Sequence, residues 1–416
     1  MRSDLKYKGG LCLLLSTLLM ANGLAEETER GTPWEIHIID QSSRGADGAK
    51  LADVDGDGLQ DIATGWEEGG RTRIYHNPGP DHVKQLWPAI TVGDTPQVED
   101  AAWIDLDRDG RLEVVSCCEG KSQTVFVHWP PATKPFQNEW RQEFLPSSQR
   151  KMMWMFATPA QLDQQPGMEL VAAGKGKGAQ IGWFQPGENP RELANYQWKS
   201  LSPAGWIMSL FAIDMDGDGD QDLLTTDRKG KLRGCRWLEN PGDLATSTTS
   251  PWKNHWVGGR DREVMFAHVA DLDQDGLRDI LVVTRIPDEL LWFRRLDASG
   301  LKWEKQVIPF PNNTEHGKGV AVGDIDLDGQ PDVVFSCGNA NPPKSGMFWM
   351  SYSQQGSKET WQTHEISGPR GIKFDRIELL DLDADGDLDV LSCEERDQKK
   401  GLGVFWYENP VKSNRR

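Results

Sequence analysis

Asp53, Asp55, Asp57 and Asp61 place four carboxylates within the stretch DVDGDGLQDI. In a folded chain such charges repel one another unless a cation sits among them. The same pattern returns with Asp105, Asp107, Asp109 and Glu113, and with Asp214, Asp216, Asp218 and Asp222. It returns again with Asp271, Asp273, Asp275 and Asp279, with Asp324, Asp326, Asp328 and Asp332, and with Asp381, Asp383, Asp385 and Asp389. In each copy acids at positions 1, 3 and 5 converge, a glycine at position 6 permits a sharp turn, and position 7 offers a backbone carbonyl. The acid at position 9 closes the shell. An all-oxygen donor set selects a hard cation, and a loose shell of roughly six or seven oxygens favours Ca2+ over Mg2+. A seventh copy, QLDQQPGMEL at 161–170, is eroded: Gln161 and Gln165 replace two acids and Pro166 replaces the glycine, leaving Asp163 and Glu169. Six Ca2+ sites are therefore expected, with the third loop empty.

These loops resemble the first nine positions of an EF-hand, but the bidentate Glu of position 12 is replaced by Thr64, Ser116, Thr225, Val282, Phe335 and Ser392. Their flanks are β-rich, so the ion would staple a strand-to-strand turn. Loop starts at 53, 105, 161, 214, 271, 324 and 381 are spaced 52 to 57 residues apart. Such a period over the whole chain marks a repeat architecture. Each unit has an apolar segment entering the loop and a β-rich one leaving it. An aromatic strand follows, often ending in Asn-Pro, and then a tryptophan-led segment such as WKNHWV or WQTHEI. Four short strands repeated seven times predict an all-β, seven-bladed β-propeller. WEIHII at 34–39 is a fourth strand with no first three before it, and VFWYENP at 404–410 is a third strand with no fourth after it. The N-terminal strand should complete the last blade and remove the exposed sheet edge. Trp183, Trp237, Trp292, Trp349 and Trp406 share one phase of the third strand, as do Trp34, Trp252, Trp303 and Trp361 of the fourth, which reads as packing between blades.

A net charge of −18 in 416 residues argues against nucleic-acid binding. Residues 1–25 read as a cleaved signal peptide: Arg2, Lys6 and Lys8, a short apolar core at 11–20, and GLA at 23–25. That core is too short to span a bilayer, so the mature chain is expected to be secreted or periplasmic. Losing three bases and one acid with the leader takes −18 to −20, and six Ca2+ would bring it to −8. After an N-terminal segment at 26–33, the propeller is expected over 34–410, with a tail at 411–416. The five mature cysteines, Cys117, Cys118, Cys235, Cys337 and Cys393, form no metal-binding or disulfide framework and read as small buried hydrophobes.

The DxDxDGxxD loops, the strand–loop–strand flanks and the WxENP segments resemble FG-GAP/VCBS repeat proteins, relatives of the integrin alpha-chain propeller. The likeness covers 34–410, although ATG, AAG and TTD occupy the GAP position. The resemblance implies calcium on one face of the disc and a glycan or protein ligand on the opposite one, at the loops between second and third strands and between blades. There His316, Lys318 and Arg376 are candidates for catalysis, with His268 on an inner strand. Arg262, Glu263, Asp375, Glu394 and Arg396 are candidates for ligand binding. Two functions follow: a binding module, or a carbohydrate-active enzyme of polysaccharide-lyase or sugar-dehydratase type in which Arg or a metal neutralises substrate and His, Lys or Tyr acts as base. The chain contains no HExxH, GxSxG or Walker signature, and GKGKG at 174–178 lacks a phosphate loop's context.

Overall fold

The structure is a computed structural model that describes residues 31–137, 139–163, 165–242, 251–355, 358–395 and 401–413. Among these, strands assemble into seven four-stranded antiparallel sheets. The inner strands of blades 1 to 7 are Ala46–Ala52, Val98–Ile104, Met153–Ala160, Ile207–Ile213, Val264–Ala270, Gly317–Gly323 and Phe374–Leu380. The second strands, such as Asp61–Trp66 and Asp332–Cys337, are buried along their whole length. Their runs of Ile, Val, Leu and Phe are what a strand covered on both faces requires.

Closure occurs as the unpaired end segments demand. Blade 7 has the order inner strand, Asp389–Glu394, Val404–Glu408, and then the N-terminal strand Glu35–Asp40. His37 pairs with Trp406 and Ile38 with Phe405 in antiparallel register. The core is distributed between blades: Ile62, Trp66 and Tyr75 of blade 1 pack with Leu391, Cys393 and Trp406 of blade 7. The third-strand tryptophans are buried at equivalent register, and three of them carry a fourth-strand imidazole on the indole face. His37 lies on Trp406, His255 on Trp237 and His364 on Trp349, at ring separations of 4.5, 4.2 and 3.8 Å. His37 and His255 are further held by Glu408 and Glu239. Cys117, Cys118, Cys235, Cys337 and Cys393 are buried free thiols.

Candidate functional site

The six acidic loops fold alike. The first acid turns its carboxylate into the loop and accepts backbone N–H groups: Asp53 takes Gly56, Asp57 and Gly58 at 2.8, 3.1 and 3.0 Å. Asp271, Asp324 and Asp381 each accept the N–H of positions 5 and 6 in the same way. The glycine at position 6 has positive φ in all six, +87° at Gly58 and +93° at Gly386, which a side chain would resist. The position-9 acid is buried and accepts the N–H of position 2, as Asp61 does from Val54. Oxygens of Asp53, Asp55 and Asp61 lie within 4.8 Å of one another. Glu113 Oε1 and Asp273 Oδ1 are buried and accept no hydrogen bond. The carboxylate cluster of the first loop, and the orphaned oxygens of the second and fifth, fit a divalent hard cation.

The third loop is built differently. Gln161 Nε2 donates to the carbonyls of Gln165 and Gly167 at 2.7 and 2.9 Å. An amide thus binds the position-7 carbonyl that in the other loops is free for an ion. The Asn-Pro ends of the third strands also join these loops. The Asn77, Asn240 and Asn409 N–H groups donate to Asp61, Asp222 and Asp389. The Asn240 and Asn409 side chains reach on to Leu162 and Ile325 carbonyls in the preceding blade. The repeated Asn-Pro marked these residues in the sequence, but only the fold shows that they bridge blades.

At the opposite end the inner strands share one irregularity. Each of the seven shifts register near its start, for example between Asp47 and Lys50 and between Gly317 and Val320. The shift re-aims one residue per blade, always six before the first loop position. On blades 7, 1 and 2 these residues are Asp375, Asp47 and Glu99; on blades 3, 4 and 5 they are Met155, Met208 and Met265; on blade 6 it is Lys318. A second ring stands fourteen residues after each first loop position. It reads Glu395, Glu67 and Glu119 on blades 7, 1 and 2, then Lys175, Arg228 and Arg285 on blades 3, 4 and 5, and Gly338 on blade 6. All but Asp375 line one cavity of about 420 Å³ at the channel mouth.

The mouth is electrically divided. Lys175 pairs with Glu99 at 2.8 Å and with Glu119, and Lys318 pairs with Glu395 and with Asp375 at 3.3 Å. Lys373 also contacts Glu395. Burial, reinforced by Asp375 and Glu395, pushes the Asp47 carboxyl well above the usual range. Burial likewise raises Glu99, and Glu67 rises through burial and the neighbouring Glu395 and Glu119. Burial works against Asp375 too, but Lys318 holds it below its ordinary value. Across the mouth, Lys175, Arg228 and Lys229 surround the Trp206 ring at 4.7, 4.5 and 4.7 Å.

Two segments, residues 53–116 and 271–335, match the FG-GAP-like repeat family. The chain is a seven-bladed β-propeller that carries FG-GAP-like repeats. No curated protein sequence matches it. Among solved structures, it is similar to BBS1N in complex with ARL6DN, in crystals soaked with lead or mercury. Both superpose with a TM-score of 0.49 and 10% identity over 90% of this chain, and over 98% and 97% of theirs.

In this propeller the candidate residues separate into layers. His316 and Lys318 line the mouth, His316 with a left-handed backbone at φ +57°. Arg376 lies over the rings of Phe156 and Phe266 at 5.6 and 5.1 Å and does not border the cavity. His268, on the inner strand of blade 5, is held neutral by burial and the Arg376 charge, its pKa lowered to about 4. Glu263 pairs with Arg228 at 2.5 Å, and Arg262 pairs with Glu289 at 2.8 Å. Glu394 braces two loops by accepting the Ile372 and Leu402 N–H groups, while its neighbour Glu395 faces the mouth. Arg396 lies outside the described residues. Glu67, Glu119, Lys175 and Arg228 are not singled out by the sequence motifs; counting fourteen residues from each first loop position aligns them.

The Lys318 cluster yields a stability test. Lys318→Met leaves the fully buried Asp375 without its cation, and removing one partner of a buried pair costs about 3–5 kcal/mol. A matching fall in the urea midpoint is expected, with partial recovery in Lys318→Arg; an unchanged midpoint would show the pair to be dispensable.

Proposed function

We propose that this protein is an exported, calcium-stapled binding module that holds a glycan or protein ligand at the channel mouth opposite the acidic loops. The observation that carries the reading is the divergence of the two rings. Positions that are equivalent in seven repeats hold Asp, Glu, Lys, Arg, Met and Gly, where a purely structural role would favour one residue type. Unlike side chains converging on one cavity of a regular scaffold are where such a fold carries specificity. Calcium is supported by the oxygen-only clusters with orphaned atoms, and export by the leader-like residues 1–25. Among the described residues no helix is long and apolar enough to cross a membrane.

The lyase or dehydratase alternative needs a free base beside a neutralising cation. Lys318 does not supply it: although burial opposes its charge, Asp375 and Glu395 hold its pKa well above the ordinary value, so it stays protonated. The repeat family and the propeller scaffold favour an interaction module, so binding is the reading kept. Glycan and peptide arrays probed with the wild type and with Gly338→Trp test it. Gly338 has ordinary backbone geometry, and a Cβ there meets nothing closer than 3.6 Å, so the variant is expected to fold with its indole in the mouth. Loss of array binding at an unchanged melting temperature is expected; array hits retained by the filled variant would move the function off this face.

A further inference from the structure

The division of charge at the mouth narrows the ligand class, resting on the reading that the mouth is the binding face. In a ring of seven, blade 1 stands opposite blades 4 and 5. Glu67 therefore faces Arg228, Lys229 and Arg285 across the cavity. Among the described residues neither the Glu67 carboxylate nor the Lys229 ammonium has an ion-pair partner, whereas the seams between the halves are closed by Lys175 and Lys318. Arg228 and Arg285 share the single carboxylate of Glu263, at 2.5 and 3.5 Å, so the basic end keeps an excess of positive charge and the two unbalanced ends are diametrically placed. Under the cationic end Met155, Met208 and Met265 form a polarisable apolar floor. The absent side chain at Gly338 opens a notch in the outer ring on blade 6.

We propose that the mouth binds a small zwitterion, its ammonium on Glu67 and its carboxylate on the Arg228–Lys229–Arg285 side, with apolar substituents on the three methionines. A purely anionic ligand would meet the acidic wall, a purely cationic one the basic wall, and a neutral one would desolvate both without pairing either. A cavity of 420 Å³, taken as a sphere, is about 9 Å across, and the termini of an extended dipeptide lie about 7 Å apart. The matching chemistry is that of a short peptide with free ends, or of an amino sugar acid of similar span.

Calorimetric titration of the full mature chain, in calcium buffer, with leucyl-leucine, its N-acetyl form and its C-terminal amide tests this. The free dipeptide is expected to bind, with either blocked form at least about tenfold weaker. Glu67→Gln should abolish the preference over the acetylated form alone, and Arg285→Gln the preference over the amide alone. A parallel titration with a zwitterionic amino sugar acid separates the two sources of the chemistry: tighter binding of the sugar assigns the site to it and still upholds the zwitterion. No binding by either zwitterion, equal binding of free and blocked forms, or variants that leave both preferences intact would overturn the proposal. The arrays distinguish the wider failure. A non-zwitterionic hit lost in Gly338→Trp would refute the zwitterion while the mouth remained the binding face, and hits indifferent to Gly338→Trp would refute both.

Discussion

Saturating EDTA is expected to lower the unfolding midpoint by roughly 15–20 °C. A site filled a hundredfold above its dissociation constant stabilises by about 2.7 kcal/mol, so six contribute about 16 kcal/mol. Unfolding entropy of about 2.1 cal/mol/K per residue converts this to the stated shift for a domain of this size. Calorimetry with and without chelator measures it, and an unchanged melt would sink the calcium assignment. The pH dependence should differ between the two conditions. Without the ion, burial raises Asp61 and Asp279 to about 6, Asp222 and Asp332 to about 7, and Glu113 and Asp389 to about 8. In the unfolded chain these groups release their protons near 3.8 for Asp and 4.5 for Glu. Between those values and about pH 8 the folded state holds protons that the unfolded state has released. Stability of the chelated protein should therefore fall as pH rises from about 4 to about 8. With calcium the carboxylates must be ionised to bind, so stability should rise across the same window. Parallel pH profiles in the two buffers would contradict ion binding at these loops.

Deleting residues 34–40 is expected to abolish soluble monomer. The N-terminal strand buries Ile39 and Trp34, and Ile36 and Ile38 pack partly against the core of the last blade. Burial of such side chains contributes about 1.5–3 kcal/mol each, a sum comparable with the whole stability of an ordinary domain. The deletion also strips the partner from Val404–Glu408 and leaves an apolar edge open to pairing with another chain. Size-exclusion chromatography of the truncated protein should show aggregate or nothing. A monomer with the parental midpoint would mean that the ring does not depend on this seam.

The architecture was legible because the acidic loops act as punctuation: one motif at a near-constant spacing fixes blade number, strand order and the shared closing blade. The tryptophan phases were legible for the same reason, and Trp183, Trp237, Trp292, Trp349 and Trp406 are all buried. The mouth was harder to read because its side chains share position without sharing chemistry. Asp47, Met208 and Lys318 look unrelated until the register shift of each inner strand shows that they occupy one ring. Glu394 and Glu395 illustrate the limit. Adjacent residues of one type point to opposite environments at a strand end, and composition cannot say which one turns inward.

The amide of Gln161 has a consequence for how the chain keeps its shape. On the proposed calcium reading an ion completes each of the other six turns, whereas the third is closed by the chain's own amide. That loop lies in the third of seven blades, flanked by partners made both before and after it. Under chelation the third turn is therefore expected to keep its shape while the six acidic turns are left to repel. The copy with the fewest acids would be the one whose geometry outlasts removal of the ion.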